Sequence, residues 1–188
     1  MAEHRDVVNL TDPRALRAYA HPIRMRLVGL LRREGTLTAT RAAELLGESS
    51  GSTSFHLRQL ARYGLVEEAG GGTGRAKPWR ATAMFTGLPD VAETPELGQA
   101  SAQVRGVLAG RQQELLLDWI RRAPDEPEDW QRATPFSDYL LYLTSGELAE
   151  LAGRIDELLR RYAGRLGDPA ARPADSRLVT YLNWAIPQ

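Results

Sequence analysis

The stretch TRAAELLGESSGSTSFHLRQLARYG, residues 40–64, decides the fold of the first half of the chain. Its first part, 40–46, has apolar residues at helical spacing, and Gly47 is the residue type that commonly ends a helix. Ser49 is a good N-cap for a second helix that continues to Tyr63. Two short helices joined by a tight, glycine-containing turn predict a helix-turn-helix.

Two more helices and a short strand are predicted ahead of this motif. Asp12 and Pro13 are the residue types preferred at a helix start, and this helix must end before Pro22. Pro22 opens the next helix, whose apolar residues share one face until Gly35 ends it. Residues 36–38 (TLT) are predicted to form a short strand.

A hairpin is predicted directly after the motif. The strand-like segments 65–69 and 75–81 flank the glycine run 70–74, which is too long for a two-residue turn. The run lacks a following Lys-Ser/Thr pair and a preceding buried parallel strand, so a phosphate-binding loop is not favoured. Trp79 is expected to pack under the hairpin.

Composition excludes several classes of protein. The 188 residues contain no cysteine, which excludes disulfides, thiolate metal sites and cysteine nucleophiles. Apolar runs are short, so we expect neither a membrane span nor a secretory segment, and we expect a soluble cytoplasmic protein. The net charge of zero combines +5 over residues 1–89 with −5 over residues 90–188. This asymmetry predicts that the first half meets a polyanion.

The second helix of the motif has two unlike faces. Thr53, Leu57 and Leu60 share one face and are expected to pack against the preceding helices. The other face carries hydroxyls, an amide, arginines and one aromatic ring, which suit contacts to base edges and phosphates in a major groove. The candidate DNA-binding residues, including two from the hairpin, are Ser50, Ser52, Ser54, Phe55, His56, Arg58, Gln59, Arg62, Arg75 and Lys77.

These segments together resemble the ArsR-type winged helix-turn-helix family. The resemblance lies in HPIRMRLVGLLRREG, RAAELLG, SSGSTSFHLRQLARYGLVEE and GRAKPWR, within about residues 10–83. It implies a dimeric transcriptional regulator, usually a repressor released by an effector. The DNA-reading helix of the family corresponds to residues 50–62 here, and its wing tip corresponds to residues 72–77.

Two features depart from the family's pattern. Its metal-sensing members place cysteines where this chain has RAAEL (41–45), and the three histidines are far apart in sequence, so no metal and no other cofactor is expected. Gly51 weakens the reading helix, which predicts fraying in the absence of DNA. His21 is interpreted as a local structural hydrogen-bonder. For His56, a phosphate contact and a buried structural bond both remain open.

The second half of the chain is predicted to form a separate domain. Residues 86–96 are a proline-containing linker between a winged helix-turn-helix domain (10–85) and a dimerisation and effector region (96–188). A long helix at 96–122 carries small and apolar residues in a stripe, and this pattern is typical of a helix that packs on another helix. The predicted dimer contacts are Leu97, Val104, Leu108 and Leu115.

A strand–helix–strand arrangement is predicted to follow. Residues 136–143 (FSDYLLYL) and 177–186 (RLVTYLNWAI) are typical of strands, and Thr144 or Ser145 caps the helix between them. Its aromatic residues either form core or line an apolar effector pocket; the pocket candidates are Tyr139, Tyr142, Tyr181 and Trp184. The expected fold class is therefore mainly α with small β (α+β), with a two-stranded sheet in the second half.

No arrangement of residues predicts catalysis. We find no nucleophile–base pair, metal triad or phosphate loop, and the acidic cluster within 125–129 lies on a proline-rich loop without basic or histidine partners. The protein is therefore not expected to be an enzyme. The alternative to DNA binding is a winged-helix module that docks on another protein without touching DNA.

Overall fold

The computed structural model describes residues 5–70 and 77–188 of the chain. The chain divides into two compact units, Met1–Gly110 and Arg111–Gln188. The division falls inside the longest helix. The elements are helical apart from short strands in the first unit, and this confirms the predicted mainly α class with small β.

The first unit consists of two small sheets and a group of short helices followed by the start of the long one. In chain order its elements are β1 (Arg5–Asn9), α1 (Pro13–Tyr19), α2 (Pro22–Glu34), β2 (Leu37–Thr38), α3 (Ala39–Leu46), α4 (Ser50–Arg62), β3 (Val66–Glu68), β4 (Pro78–Ala81), β5 (Ala83–Gly87) and α5 (Pro95–Arg122).

The helices begin and end where capping chemistry predicts. Oδ1 of Asp12 accepts a hydrogen bond from the Arg14 amide at 2.8 Å, which satisfies one of the first amides of α1. Gly35 ends α2 with a φ of +77°, a conformation that residues with a Cβ rarely adopt.

Two small sheets join strands that are distant in sequence. In the first, β2 pairs with β4 and β4 pairs with β3, both antiparallel, with Trp79 of β4 opposite Leu37 and Glu68. In the second, β1 runs parallel to β5. The sequence patterns did not predict β1 or β5. Val7 and Val8 were the available signal for β1, and that run was too short to distinguish a strand from a loop.

The core of the first unit joins α1, α2 and α4 to the sheet and to the start of α5. Leu16, Leu27, Leu57 and Leu65 are fully buried in it, and Trp79 packs beneath the hairpin as predicted. Arg32 connects α2 to β5, because its Nε donates to the Ala83 carbonyl at 2.9 Å. Burial of these apolar side chains is the main force that fixes the helices relative to one another.

The second unit contains the end of α5, a short helix α6 (Glu128–Arg132) and the long helix α7 (Ser145–Gly167). Thr144 caps α7 in a reciprocal arrangement with Glu147: the Glu147 amide donates to Oγ1 of Thr144 at 3.2 Å, and the Thr144 amide donates to Oε2 of Glu147 at 2.8 Å. The sequence had left Thr144 and Ser145 as alternatives.

The predicted two-stranded sheet of the second half is not formed. Residues 136–143 and 177–186 are in neither helix nor strand, and no backbone hydrogen bond joins them in the described part of the chain. Composition was a poor guide here because β propensity largely reflects packing against a neighbouring strand or layer. The side chains of both segments are almost all exposed, so this packing is missing.

Candidate nucleic-acid interface

The turn between α3 and α4 sets the direction of the second helix. Gly47 ends α3 in the left-handed conformation, with a φ of +69°, and the Glu48 amide donates to the Ala43 carbonyl at 2.9 Å. Oγ of Ser49 then accepts from the Ser52 amide at 3.2 Å and starts α4. The helix-turn-helix predicted from residues 40–64 is thus present, with its helices at Ala39–Leu46 and Ser50–Arg62.

One face of α4 anchors the helix in the domain. The side chains of Thr53, Leu57 and Leu60 are 0 % exposed, and the two leucines belong to the core of the first unit. These are the three residues that helical spacing predicted to face inward. Because α4 is fixed by fully buried side chains, its outer face has a defined orientation.

The opposite face of α4 is open and carries positive charge. Phe55 is 50 % exposed, and Arg58 and Arg62 are also exposed. Neither arginine forms an ion pair with any residue that the structure describes, although the guanidinium of Arg62 lies 5.9 Å from the centroid of the Tyr63 ring. The remaining predicted contact residues of this face, one exposed and three half-buried, are Ser50, Ser52, Ser54 and Gln59.

His56 does not belong to this open face. It is only 8 % exposed, and its ring lies 4.7 Å from the ring of His21, centroid to centroid. Its place among the predicted DNA contacts is therefore corrected: helical angle put it at the edge of the outer face, but the start of α2 covers that edge. Of the two interpretations left open for His56, the buried structural bond is met only in part: the ring is buried, but its Nδ1 has no hydrogen-bond partner among the described residues.

Burial also affects the charge of this histidine pair. It lowers the pKa of His21, and Arg24 lowers it further. The pKa of His56 is lowered by burial first, and then by His21 and Arg24. Glu48 raises the pKa of both rings, but by less than the other groups lower it. Both rings are therefore disposed to be neutral at pH 7.

The two hairpin cations that the structure describes are both in ion pairs. Nζ of Lys77 lies 2.8 Å from Oε2 of Glu68, and a guanidinium nitrogen of Arg80 lies 2.7 Å from Oε1 of Glu67. Glu67 and Arg80 are directly opposite in the β3–β4 register. Opposite charges on the two arms of the predicted hairpin were a signal for these pairs that the sequence interpretation did not use. Arg75, the other predicted hairpin contact, lies outside the described residues.

Most of the predicted dimer contacts are used within the first unit. Val104 is 0 % exposed and Leu97 is buried beside it in the core, while Leu108 is half-buried against the same core. Leu115, in the second unit, is 40 % exposed. The predicted apolar stripe is present on α5, but its first half packs on helices of the same chain. Sequence periodicity does not distinguish a stripe that packs on its own chain from one that packs on a second chain.

The predicted effector-pocket residues lie at exposed positions in the second unit. Tyr139, Tyr142, Tyr181 and Trp184 are all exposed, although Nε1 of Trp184 donates to Oε1 of Gln112 at 2.8 Å. The prediction of a lined pocket assumed the two strands, which are not formed; contact of these residues with an effector stays a prediction.

Within residues 5–70 and 77–188, no group of three or more His, Cys, Asp or Glu side chains is placed to hold a metal ion. None of the helices in those ranges has the length and apolarity that crossing a membrane requires.

Comparison with known proteins points to the same segment. Residues 19–69 match a family of helix-turn-helix domains. No curated protein matches the chain significantly. The matched residues run from the end of α1 to the first strand of the hairpin, and they include the buried and the open face of α4. Residues 19–69 are therefore similar to helix-turn-helix domains, a type of domain that DNA-binding regulators use.

Proposed function

We propose that this protein is a sequence-specific DNA-binding transcriptional regulator. In this proposal the helix at 50–63 enters the major groove and the wing at 65–81 lies over the neighbouring backbone. The observation that carries the proposal is the open face of α4, where Phe55, Arg58 and Arg62 are exposed while the opposite face is fully buried. An arginine that has no ion-pair partner in the described part of the chain is available to a phosphate or a guanine edge.

Charge distribution supports the same surface. Residues 1–89 carry 13 basic and 8 acidic side chains, whereas residues 90–188 carry 11 and 16. Phosphate contacts supply much of the affinity of DNA-binding proteins, so a positive first half and a negative second half favour DNA contact through the first. Phe55 adds an apolar group that suits the methyl of a thymine.

We propose further that the protein acts as a homodimer on an inverted repeat. One recognition helix makes few base contacts, and two-fold dimers that read half-sites about one DNA turn apart overcome this limit. The residues that support self-association are the exposed apolar ones in the last turns of α5: Leu115, Leu117 and Ile120. In the proposed dimer interface they take the place of Leu97 and Val104, because those two residues are buried in the first unit.

The finer parts of the proposal follow from the ArsR-type resemblance. We assign the protein to that type, as a cytoplasmic repressor released by a small non-metal effector. The wing that follows α4 directly and the helix that packs back on the core, α5, support the assignment. The aromatic residues of 136–143 and 177–186 are the candidates for effector contact, on a surface open in the single chain.

The test is selection of bound sequences from random duplex DNA by the full chain, followed by affinity measurement on the selected sequence. We expect an inverted repeat, and a log–log salt dependence with a slope of about −0.9 for each phosphate neutralised. Failure to enrich any sequence, with no salt-dependent binding of duplex DNA, would favour the protein-docking alternative. Enrichment of a single, non-repeated site would contradict the dimer.

A further inference from the structure

The start of α2 and the buried edge of α4 meet at two histidines. His21 is the residue before Pro22 at the N-terminus of α2, and its side chain makes no capping hydrogen bond. His56 lies in the second turn of α4, one residue from the exposed Phe55. Their rings are 4.7 Å apart with a 40° angle between planes, and the Phe55 ring stands edge-on to His56 at 5.4 Å.

Neither ring has the hydrogen bonds that a charged imidazole needs. Nδ1 of His21 and Nδ1 of His56 are both buried, and neither has a hydrogen-bond partner among the described residues. A protonated imidazole carries an N–H on both nitrogens, so each ring would bury an unsatisfied donor as well as a charge. Two such charges at this separation would also repel each other.

The charged groups around the pair do not remove this conflict. Arg24, from α2, adds positive charge and has its own Nε buried without a described partner. Glu48, from the turn between α3 and α4, raises the pKa of both rings, but its carboxylate also lies 3.7 Å from a guanidinium nitrogen of Arg26. Tyr63, at the end of α4, raises the pKa of Arg24, which burial lowers. The surroundings therefore favour two neutral rings.

We propose that the His21–His56 contact is a proton-sensitive link that positions the recognition helix. Neutral rings pack and hold the outer face of α4 in its DNA-reading orientation. Protonation separates the rings and loosens α4 from α2, so DNA binding weakens as the pH falls. This inference rests on the proposed function for its effect on DNA, but the loosening of α4 is independent of it.

The direction of the pH effect follows from linkage. The pKa of each ring is lowered from 6.5 in the folded state, so above about pH 6.5 the contact contributes its full stability. Below that value the loosened state binds more protons, and stability is lost until the pH reaches the folded-state pKa. Each unit of difference between the two pKa values corresponds to about a tenfold change in the opening equilibrium.

The test uses amide hydrogen exchange of the full-length protein at pH 7.5 and pH 5.5, corrected for intrinsic rates. Because pH 5.5 lies one unit below the unperturbed pKa of 6.5, we expect the protection of residues 50–62 to fall by up to about tenfold for each ring, while α7 keeps its protection. His56→Phe keeps a ring against His21 but removes one of the two titrating groups, and it should reduce the pH dependence of α4. If His56→Phe does not fold, His21→Phe serves the same purpose. His4→Gln, which alters the third histidine, should behave as the wild type.

DNA binding is measured on the same proteins at both pH values. We expect the wild type and His4→Gln to lose affinity at pH 5.5 relative to His56→Phe. Equal protection of α4 at both pH values, or higher wild-type affinity at pH 5.5, would overturn the inference. Loss of protection in a protein that binds no DNA at pH 7.5 would support the link and overturn the proposed function instead.

Discussion

Lys77 and Glu68 face each other across the hairpin, with Nζ of the lysine 2.8 Å from Oε2 of the glutamate. Both side chains are largely exposed, so the pair contributes little to stability. Its consequence is electrostatic: the one described lysine of the wing is neutralised by a carboxylate that a DNA phosphate would have to displace.

Glu68→Gln should therefore strengthen DNA binding. We expect an increase of about fivefold in duplex affinity, since an exposed ion pair is worth up to about 1 kcal/mol. Thermal denaturation should change little. Glu150→Gln is the matched control, because it removes an exposed carboxylate paired with Arg154 on α7. An equal gain of affinity in both variants would show that only net charge matters.

Arg58→Ala and Arg62→Ala should weaken DNA binding without changing the oligomeric state. Each is expected to lower affinity about tenfold or more if it contacts a base, and to reduce the salt slope by about 0.9 for each phosphate that is no longer neutralised. Fluorescence anisotropy at several salt concentrations measures both quantities. Arg132→Ala removes an exposed arginine of α6 and should leave affinity unchanged. Wild-type affinity in both α4 variants would contradict the assignment of this face.

Thr53→Val should stabilise the first unit. The hydroxyl of Thr53 is fully buried and has no hydrogen-bond partner among the described residues, and Val has nearly the same shape without the polar atom. We expect a gain of about 1 kcal/mol in the free energy of unfolding. Denaturant titration measures it, with Thr40→Val, on the exposed side of α3, as the control. A clear loss of stability would mean that the hydroxyl is satisfied in solution.

The two halves of α5 should respond differently to substitution. Val104→Ala should lower the free energy of unfolding by about 2 kcal/mol, as for other large-to-small changes in a core, and leave the oligomeric state unchanged. Leu115→Glu should give monomers with little loss of stability, because Leu115 is 40 % exposed in the single chain. Light scattering after gel filtration separates the outcomes. A monomeric Val104→Ala and a dimeric Leu115→Glu would place the interface on the first half of the helix.

Much of the helix-turn-helix motif was predictable because its signals are local. Gly47 and Ser49 mark the turn by backbone conformation and capping, and both act within four residues. The inward face of α4 was predictable for a similar reason, since the helical repeat places Thr53, Leu57 and Leu60 on one side whatever they pack against.

The predictions were wrong where a sequence pattern depended on which other part of the structure packs against it. His56 was assigned to the outer face because sequence spacing gives the angle of a side chain but not what covers it, and here His21 does. Leu97 and Val104 were assigned to a dimer because an apolar stripe is the same whether it meets its own core or a second chain. Residues 136–143 have strand composition, but a strand also needs a partner for its backbone hydrogen bonds.

By itself, the sequence determined the helices of the motif, the turn between them and the exposed positions of the two arginines, because spacing, caps and glycines act over a few residues. Only the tertiary structure decided that His56 is buried against His21, that the start of α5 belongs to the core, and that Lys77 is paired with Glu68. These outcomes depend on the packing of elements distant in sequence, which is set by the burial of apolar surface across the whole unit.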